Sequence, residues 1–196
     1  MTPPPALPFP LSGSTLITGP SNAGKTRLTH RAIRAWVDRA SEAGGAGATG
    51  VVVLEFAPEL ERDGRVLGGR LDRFGPLPEG AWVGILDAHA PRAEGATESE
   101  AVELARENAE RAAEILDAAP ADPVAVFVND ATIALQHEVG DVDRLTGYCD
   151  RADCSVLDAF ESDELGTDDA VSRREREALL ALHGWADRSI ELESEE

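Results

Sequence analysis

Gly19-Pro20-Ser21-Asn22-Ala23-Gly24-Lys25-Thr26 joins a short apolar run, residues 14–18, to an amphipathic stretch that begins at Lys25. The two glycines are spaced to let the backbone curl, because glycine alone reaches the conformations such a curl needs without steric cost. In a curl of this kind successive N–H groups point inward and form an anion-binding concavity. Gly24 to Thr26 also open the helix predicted over 25–40, and a helix N-terminus favours negative charge. On its predicted inner side that helix carries Leu28, Ala32, Ile33, Trp36 and Val37. Strand, glycine loop and helix therefore follow one another around a site suited to phosphate.

Outward from this segment, apolar runs alternate with helical patterns. Strands are predicted over 51–56, 81–86, 124–128, 155–159 and 188–192, and the β-branched run Val51-Val52-Val53 suits a strand covered on both faces. Thr97 and Glu100 form a capping box that opens a helix over 98–118, which Pro120 and Pro123 close. Residues 141–151 and 169–186 are further helical stretches, the latter with Leu179, Leu180 and Leu182 toward the core. Residues 43–50 read as a Gly/Ala-rich connector, 58–80 read ambiguously, and 90–96 read as a loop. The alternation predicts an α/β fold of three layers, a mostly parallel sheet flanked by helices. Ligands in such sheets sit beyond the carboxyl ends of the strands, so residues just after each strand carry the chemistry. The expected organisation is a Pro-rich leader over 1–12, one domain over 13–192 and an acidic tail over 193–196.

The pattern G-x-x-x-x-G-K-[ST], between an apolar strand and an amphipathic helix, is that of a P-loop. The nucleotide-binding residues are then Gly19, Pro20, Ser21, Asn22, Ala23, Gly24, Lys25 and Thr26. Lys25 is expected to reach the β- and γ-phosphates of ATP or GTP, and Thr26 to hold Mg²⁺. The metal also needs an acid after a strand. Asp130, closing Val126-Phe127-Val128-Asn129-Asp130, is the first candidate and Asp87, after Ile85-Leu86, the rival. Glu55 closes the second strand, where RecA-like P-loop ATPases place a catalytic Glu; with Lys25 it makes the expected catalytic pair. His89 and Glu94 lie near the same end, and the acidic stretch 161–169 could recognise a base or a cationic substrate.

The chain has 18 basic residues against 37 acidic ones and a formal net charge of -19. Such a surface repels nucleic acid and anionic membranes, so direct binding to either is not expected. It suits a salt-rich cytoplasm, where repulsion is screened, and so a halophilic source; a GC-rich genome is the alternative reading of its Arg-heavy cations. Lys25 is the one lysine in the sequence. A compact ammonium fits between phosphate oxygens as a guanidinium does not, which explains a lysine kept at this position alone. No run approaches the ~18 apolar residues that span a bilayer. The opening 1–10 has five prolines and no basic residue, unlike a signal peptide. The expected location is cytoplasmic, and there Cys149 and Cys154 are expected as ordinary thiols.

Three features together resemble the cobinamide kinase/cobinamide-phosphate guanylyltransferase family, a RecA-like branch of P-loop proteins. They are a P-loop soon after residue 13, the segment Val-Phe-Val-Asn-Asp-Ala-Thr-Ile at 126–133, and Glu164-Leu165-Gly166 followed by Ser172-Arg173-Arg174-Glu175. The resemblance spreads over most of the chain and implies a RecA-like fold and a phosphoryl acceptor. The family's nucleotide-accepting His has no counterpart, since no His lies between Glu55 and Gly80. The family's acid also aligns with Asn129 rather than Asp130. Three functions stay open: a Mg²⁺-dependent ATPase, a small-molecule kinase whose acceptor replaces water, and a non-hydrolysing switch that binds a protein partner. A homo-oligomer is open too, with Arg62, Arg70 or Arg73 acting across its interface.

Overall fold

A computed structural model describes residues 6–44, 47–62, 65–67 and 69–193, without side chains between 60 and 67. Residues 1–5 of the expected leader and 194–196 of the acidic tail lie outside it, as does the side chain of Arg62. Six strands form one parallel sheet: β1 (Gly13–Gly19), β2 (Val51–Glu55), β5 (Trp82–Ile85), β6 (Ala125–Asn129), β7 (Cys154–Phe160) and β8 (Arg188–Glu191). Their order across the sheet is β5-β2-β6-β7-β1-β8. The remaining strands, β3 (Leu60–Arg62) and β4 (Arg65–Leu67), make a separate antiparallel hairpin.

Successive side chains of a strand point to opposite faces, and both faces here are covered. Ile17, Val53, Phe127 and Val156 pack with Leu28, Ile33 and Trp36 of α1 (Lys25–Glu42). Leu16, Val52, Leu54, Val126 and Leu157 pack on the other face with helices α3 (Glu98–Ala118), α4 (Val142–Cys149) and α5 (Ala170–Trp185). Phe127 is fully buried, which stabilises the fold by about 2–3 kcal/mol. Phe9 and Leu11 are buried against the α1 face, so the end of the expected leader belongs to the core. Among the described residues no helix is long and apolar enough to cross a membrane.

The helix caps follow from sequence. Thr97 accepts from the Glu100 N–H at 3.2 Å, while Glu100 reaches back to the Ala96 N–H at 2.8 Å. Asp141 and Asp169 cap α4 and α5 in the same way. Three stretches differ from expectation. The ambiguous 58–80 segment holds the hairpin and a 3₁₀ turn, Leu71–Phe74. The loop expected over 90–96 contains a four-residue helix, α2 (Pro91–Glu94), which Pro91 starts because its fixed φ suits a first turn. Ala131–Leu135, unassigned from sequence, is a buried 3₁₀ turn.

Two neighbouring strands fix where a ligand can sit. The chain leaves β1 into α1 on one face and leaves β7 into α5 on the other. The connections part here, and a crevice opens beyond the carboxyl ends of the strands. Gly19 and Phe160, the last residues of β1 and β7, are register partners at its floor.

Candidate functional site

Gly19 turns the chain out of β1 with φ +144°, and a Cβ there would stand 2.3 Å from the Leu192 carbonyl oxygen. That oxygen belongs to the segment that docks beside β1 by donating the Leu192 N–H to Thr18 O at 2.8 Å. Only glycine admits both the angle and the approach. Asn22 at φ 61° and Gly24 at φ 90° complete the curl. Gly24 is the N-cap of α1 and offers no side-chain acceptor, so the first-turn N–H groups have no cap from it.

Two contacts describe the charge preference of this loop. The Ser21 N–H donates to a carboxylate oxygen of Glu164 at 2.7 Å. Lys25 Nζ folds back onto the loop, donating to the carbonyls of Gly19 at 2.9 Å and Pro20 at 2.6 Å. An acidic oxygen thus sits on a backbone N–H, and the ammonium rests on neutral carbonyls that a more negative group would displace.

The loop borders a cleft of ≈ 590 Å³. Ser21, Lys25, Thr26, Asp130 and Arg92 line its polar side; Ala57, Pro58, Phe74 and Ile133 line an apolar wall. Asp130 follows β6 in the left-handed conformation, φ 56°, and its N–H donates to Asp158 Oδ1 at 2.9 Å. Asp158 is 1% exposed and also accepts from Thr29 of α1 at 2.6 Å. Burial pushes both carboxyl groups up, and for Asp130 the charges of Asp158 and Glu175 add to it, to about 7, against Lys25 and Arg92.

The site therefore brings together the 19–26 loop, Thr26 and Asp130. It does not bring in Asp87, which is exposed beyond the edge strand β5, four places from β1. Glu55 is 2% exposed, at the end of β2, and does not line the cleft. One of its oxygens accepts from Asn129 Nδ2 at 2.6 Å and from the Ala57 N–H at 3.3 Å; the other accepts from the Leu71 N–H at 2.8 Å. It ties β2 to β6 and to the 69–71 segment, and burial pushes it up to about 7. His89 pairs with Glu107 at 3.1 Å and lies 3.8 Å from Glu94, joining α2 to α3. Arg73 pairs with Glu59 at 3.1 Å and lines the cleft, while Arg70 lies 3.9 Å from the same Glu59. In the acidic 161–169 stretch, Glu161 meets His183 at 3.2 Å and Asp163 meets Arg176.

Asp158 and Arg92 were not singled out by sequence, and Glu175 appeared only within the resembling stretch 172–175, with no role of its own. Asp158 had a readable signal, a lone carboxylate within the apolar strand Val156-Leu157-Asp158-Ala159. Arg92 and Glu175 had none, since their pairing spans 83 residues.

Among the described residues no three His, Cys, Asp or Glu side chains converge to hold a metal by themselves. Mg²⁺ does not need such a cage. It keeps several waters and takes one or two carboxylates together with phosphate oxygens, and Thr26 with Asp130 fits that donor set. No family model and no curated protein matches the chain.

Proposed function

We propose that this chain is a Mg²⁺-dependent P-loop protein of the RecA-like kind that binds ATP or GTP and hydrolyses it. The observation that carries the reading is the Ser21 N–H holding a carboxylate oxygen at 2.7 Å on a curled glycine loop, beside the one lysine of the sequence. In this reading the carboxylate stands where a phosphate oxygen binds. Residues 19–26 wrap the phosphates with backbone N–H groups, and Lys25 leaves its carbonyls for the β- and γ-oxygens. Thr26 and Asp130 hold Mg²⁺, which neutralises charge on the same oxygens. Glu55 could act on water only if the 69–71 segment moved off its carboxylate, and unlike Asp130 it does not border the cleft.

The central test is phosphate release from ATP and GTP with Mg²⁺, at low and at molar KCl. Steady release that requires salt supports a salt-adapted NTPase. A chain that binds neither nucleotide overturns the proposal. The apolar wall of the cleft favours a second reading, a small-molecule kinase, because it leaves room beside Asp130 for an acceptor larger than water. Turnover that appears only with an added acceptor selects it.

Two substitutions probe the proposed roles. Glu164→Ala frees the Ser21 N–H and removes a negative charge from the cleft, so nucleotide should bind severalfold more tightly. Equal affinity in a fluorescence titration would separate Glu164 from the phosphate position. Asp130→Asn should leave binding of metal-free nucleotide nearly intact and remove the gain that Mg²⁺ brings. Turnover should fall about a hundredfold, the scale of removing one pre-organised electrostatic partner. Retained Mg²⁺ dependence would assign the metal to another acid.

A further inference from the structure

Arg92 stands outside the 19–26 loop, on the four-residue helix α2, yet it lines the same cleft as Lys25, Thr26 and Asp130. Its side chain is 15% exposed. The guanidinium lies 5.6 Å from the centroid of Phe160, and Lys25 Nζ lies 6.0 Å from the same ring. One aromatic side chain at the crevice floor thus carries the two cations that act on Asp130.

The guanidinium is held from behind. Arg92 Nη1 donates to Glu175 Oε2 at 2.5 Å and to Ser172 Oγ at 3.1 Å. Glu175 is 4% exposed and is fixed again by Gln136 Nε2 at 2.8 Å. Both hydrogen bonds of Arg92 leave through Nη1, so the rest of the guanidinium fork, Nε and Nη2, makes none among the described residues. An arginine kept only to neutralise Glu175 has no need to border the cleft.

Charge balance points the same way. Asp130, Asp158, Glu164 and Glu175 all stand at this cleft, and a triphosphate adds further negative charge. Lys25, Arg27 and Arg73 at the same cleft, with one divalent ion, leave that set under-compensated. A planar fork matches phosphate oxygens in two places at once, and such charge-assisted bonds are the strong ones.

Resting on the nucleotide reading above, we infer that Arg92 binds the terminal phosphate of the nucleoside triphosphate from within the same chain, with Glu175, Ser172 and Gln136 positioning it. Arg92 then reports whether the third phosphate is present, whichever of hydrolysis or transfer follows. Because Glu175 and Ser172 lie on α5 and Gln136 just after the 131–135 turn, that report passes to both elements.

The test compares affinities rather than turnover. Wild type, Arg92→Ala and Arg92→Lys are titrated with Mg²⁺-ADP and with a non-hydrolysable Mg²⁺-ATP analogue. Wild type is expected to prefer the triphosphate. Arg92→Ala is expected to lose about 10- to 100-fold on the triphosphate and less than about threefold on ADP. Arg92→Lys keeps the charge without the fork and is expected to fall between them. ADP affinity doubles as the folding control, and Arg92→Lys covers the case in which Arg92→Ala does not fold. An unchanged triphosphate-to-ADP ratio in either variant overturns the inference, as does an equal loss on both nucleotides. Wild type binding neither nucleotide overturns the nucleotide reading, and this inference with it.

Discussion

Lys25→Ala should weaken binding of ATP and GTP about a hundredfold or more while leaving the fold intact. In the absence of nucleotide the ammonium's hydrogen bonds among the described residues go to the carbonyls of Gly19 and Pro20. Losing those partly exposed contacts costs about 1 kcal/mol. In the complex the same ammonium would face two phosphates, where charge-assisted bonds are roughly twice as strong as neutral ones. The asymmetry makes the experiment clean: thermal denaturation should barely shift, and a fluorescent-nucleotide titration should fail to saturate. Lys25→Arg should not rescue, because the bulkier planar group cannot occupy a point between phosphate oxygens. Wild-type affinity in Lys25→Ala would remove the foundation of the proposed function.

Glu55→Gln should flatten the dependence of stability on pH. Glu55 ionises at about 7 in the folded chain against an ordinary 4.5, chiefly because burial disfavours its charge. Below pH 4.5 the carboxyl is protonated in both folded and unfolded chains, and its contribution to stability is fully present. As pH rises, the unfolded chain gives up this proton first, and the contribution is lost through pH 7. Between pH 5 and 8 the loss amounts to about 2–3 kcal/mol for this group. Asp130 and Asp158, also raised, act in the same direction and remain in the variant. Urea denaturation at the two pH values should therefore show a decline in Glu55→Gln shallower by that amount. Parallel declines would mean the carboxyl is not held as a buried acid. The same variant speaks to catalysis: loss of phosphate release at unchanged nucleotide affinity would give Glu55 a role toward water, whereas full release would leave it as the tie between β2, β6 and the 69–71 segment.

How far the sequence carries depends on what each residue answers to. The central strands were legible because a parallel strand buried on both faces must be apolar throughout, as Val51-Val52-Val53-Leu54 and Val126-Phe127-Val128 are. The long helix α3 was legible because Thr97 announces its start with a local hydrogen bond. The 131–135 turn was not, because Ala-Thr-Ile-Ala-Leu carries no breaker and its conformation is set by the buried surroundings it fills. The glycine loop was legible as a local pattern. Its neighbours were not, because Arg92, Asp158 and Glu175 come from three separate elements that meet only through the strand order. Sequence could nominate both Asp87 and Asp130 after a strand. The sheet separates them, since β5 lies at one edge and β6 two places from β1.

That strand order also dictates when the cleft can exist during synthesis. Strand β1 pairs with β7 and β8, more than a hundred residues further along, and never with β2. A nascent chain that has emerged as far as β6 can lay β2, β5 and β6 side by side, but its glycine loop has no sheet to project from. Closing so distant a pairing is entropically slow. The proposed nucleotide binding would therefore wait for β7 to leave the ribosome, although residues 19–26 precede that strand by more than a hundred residues.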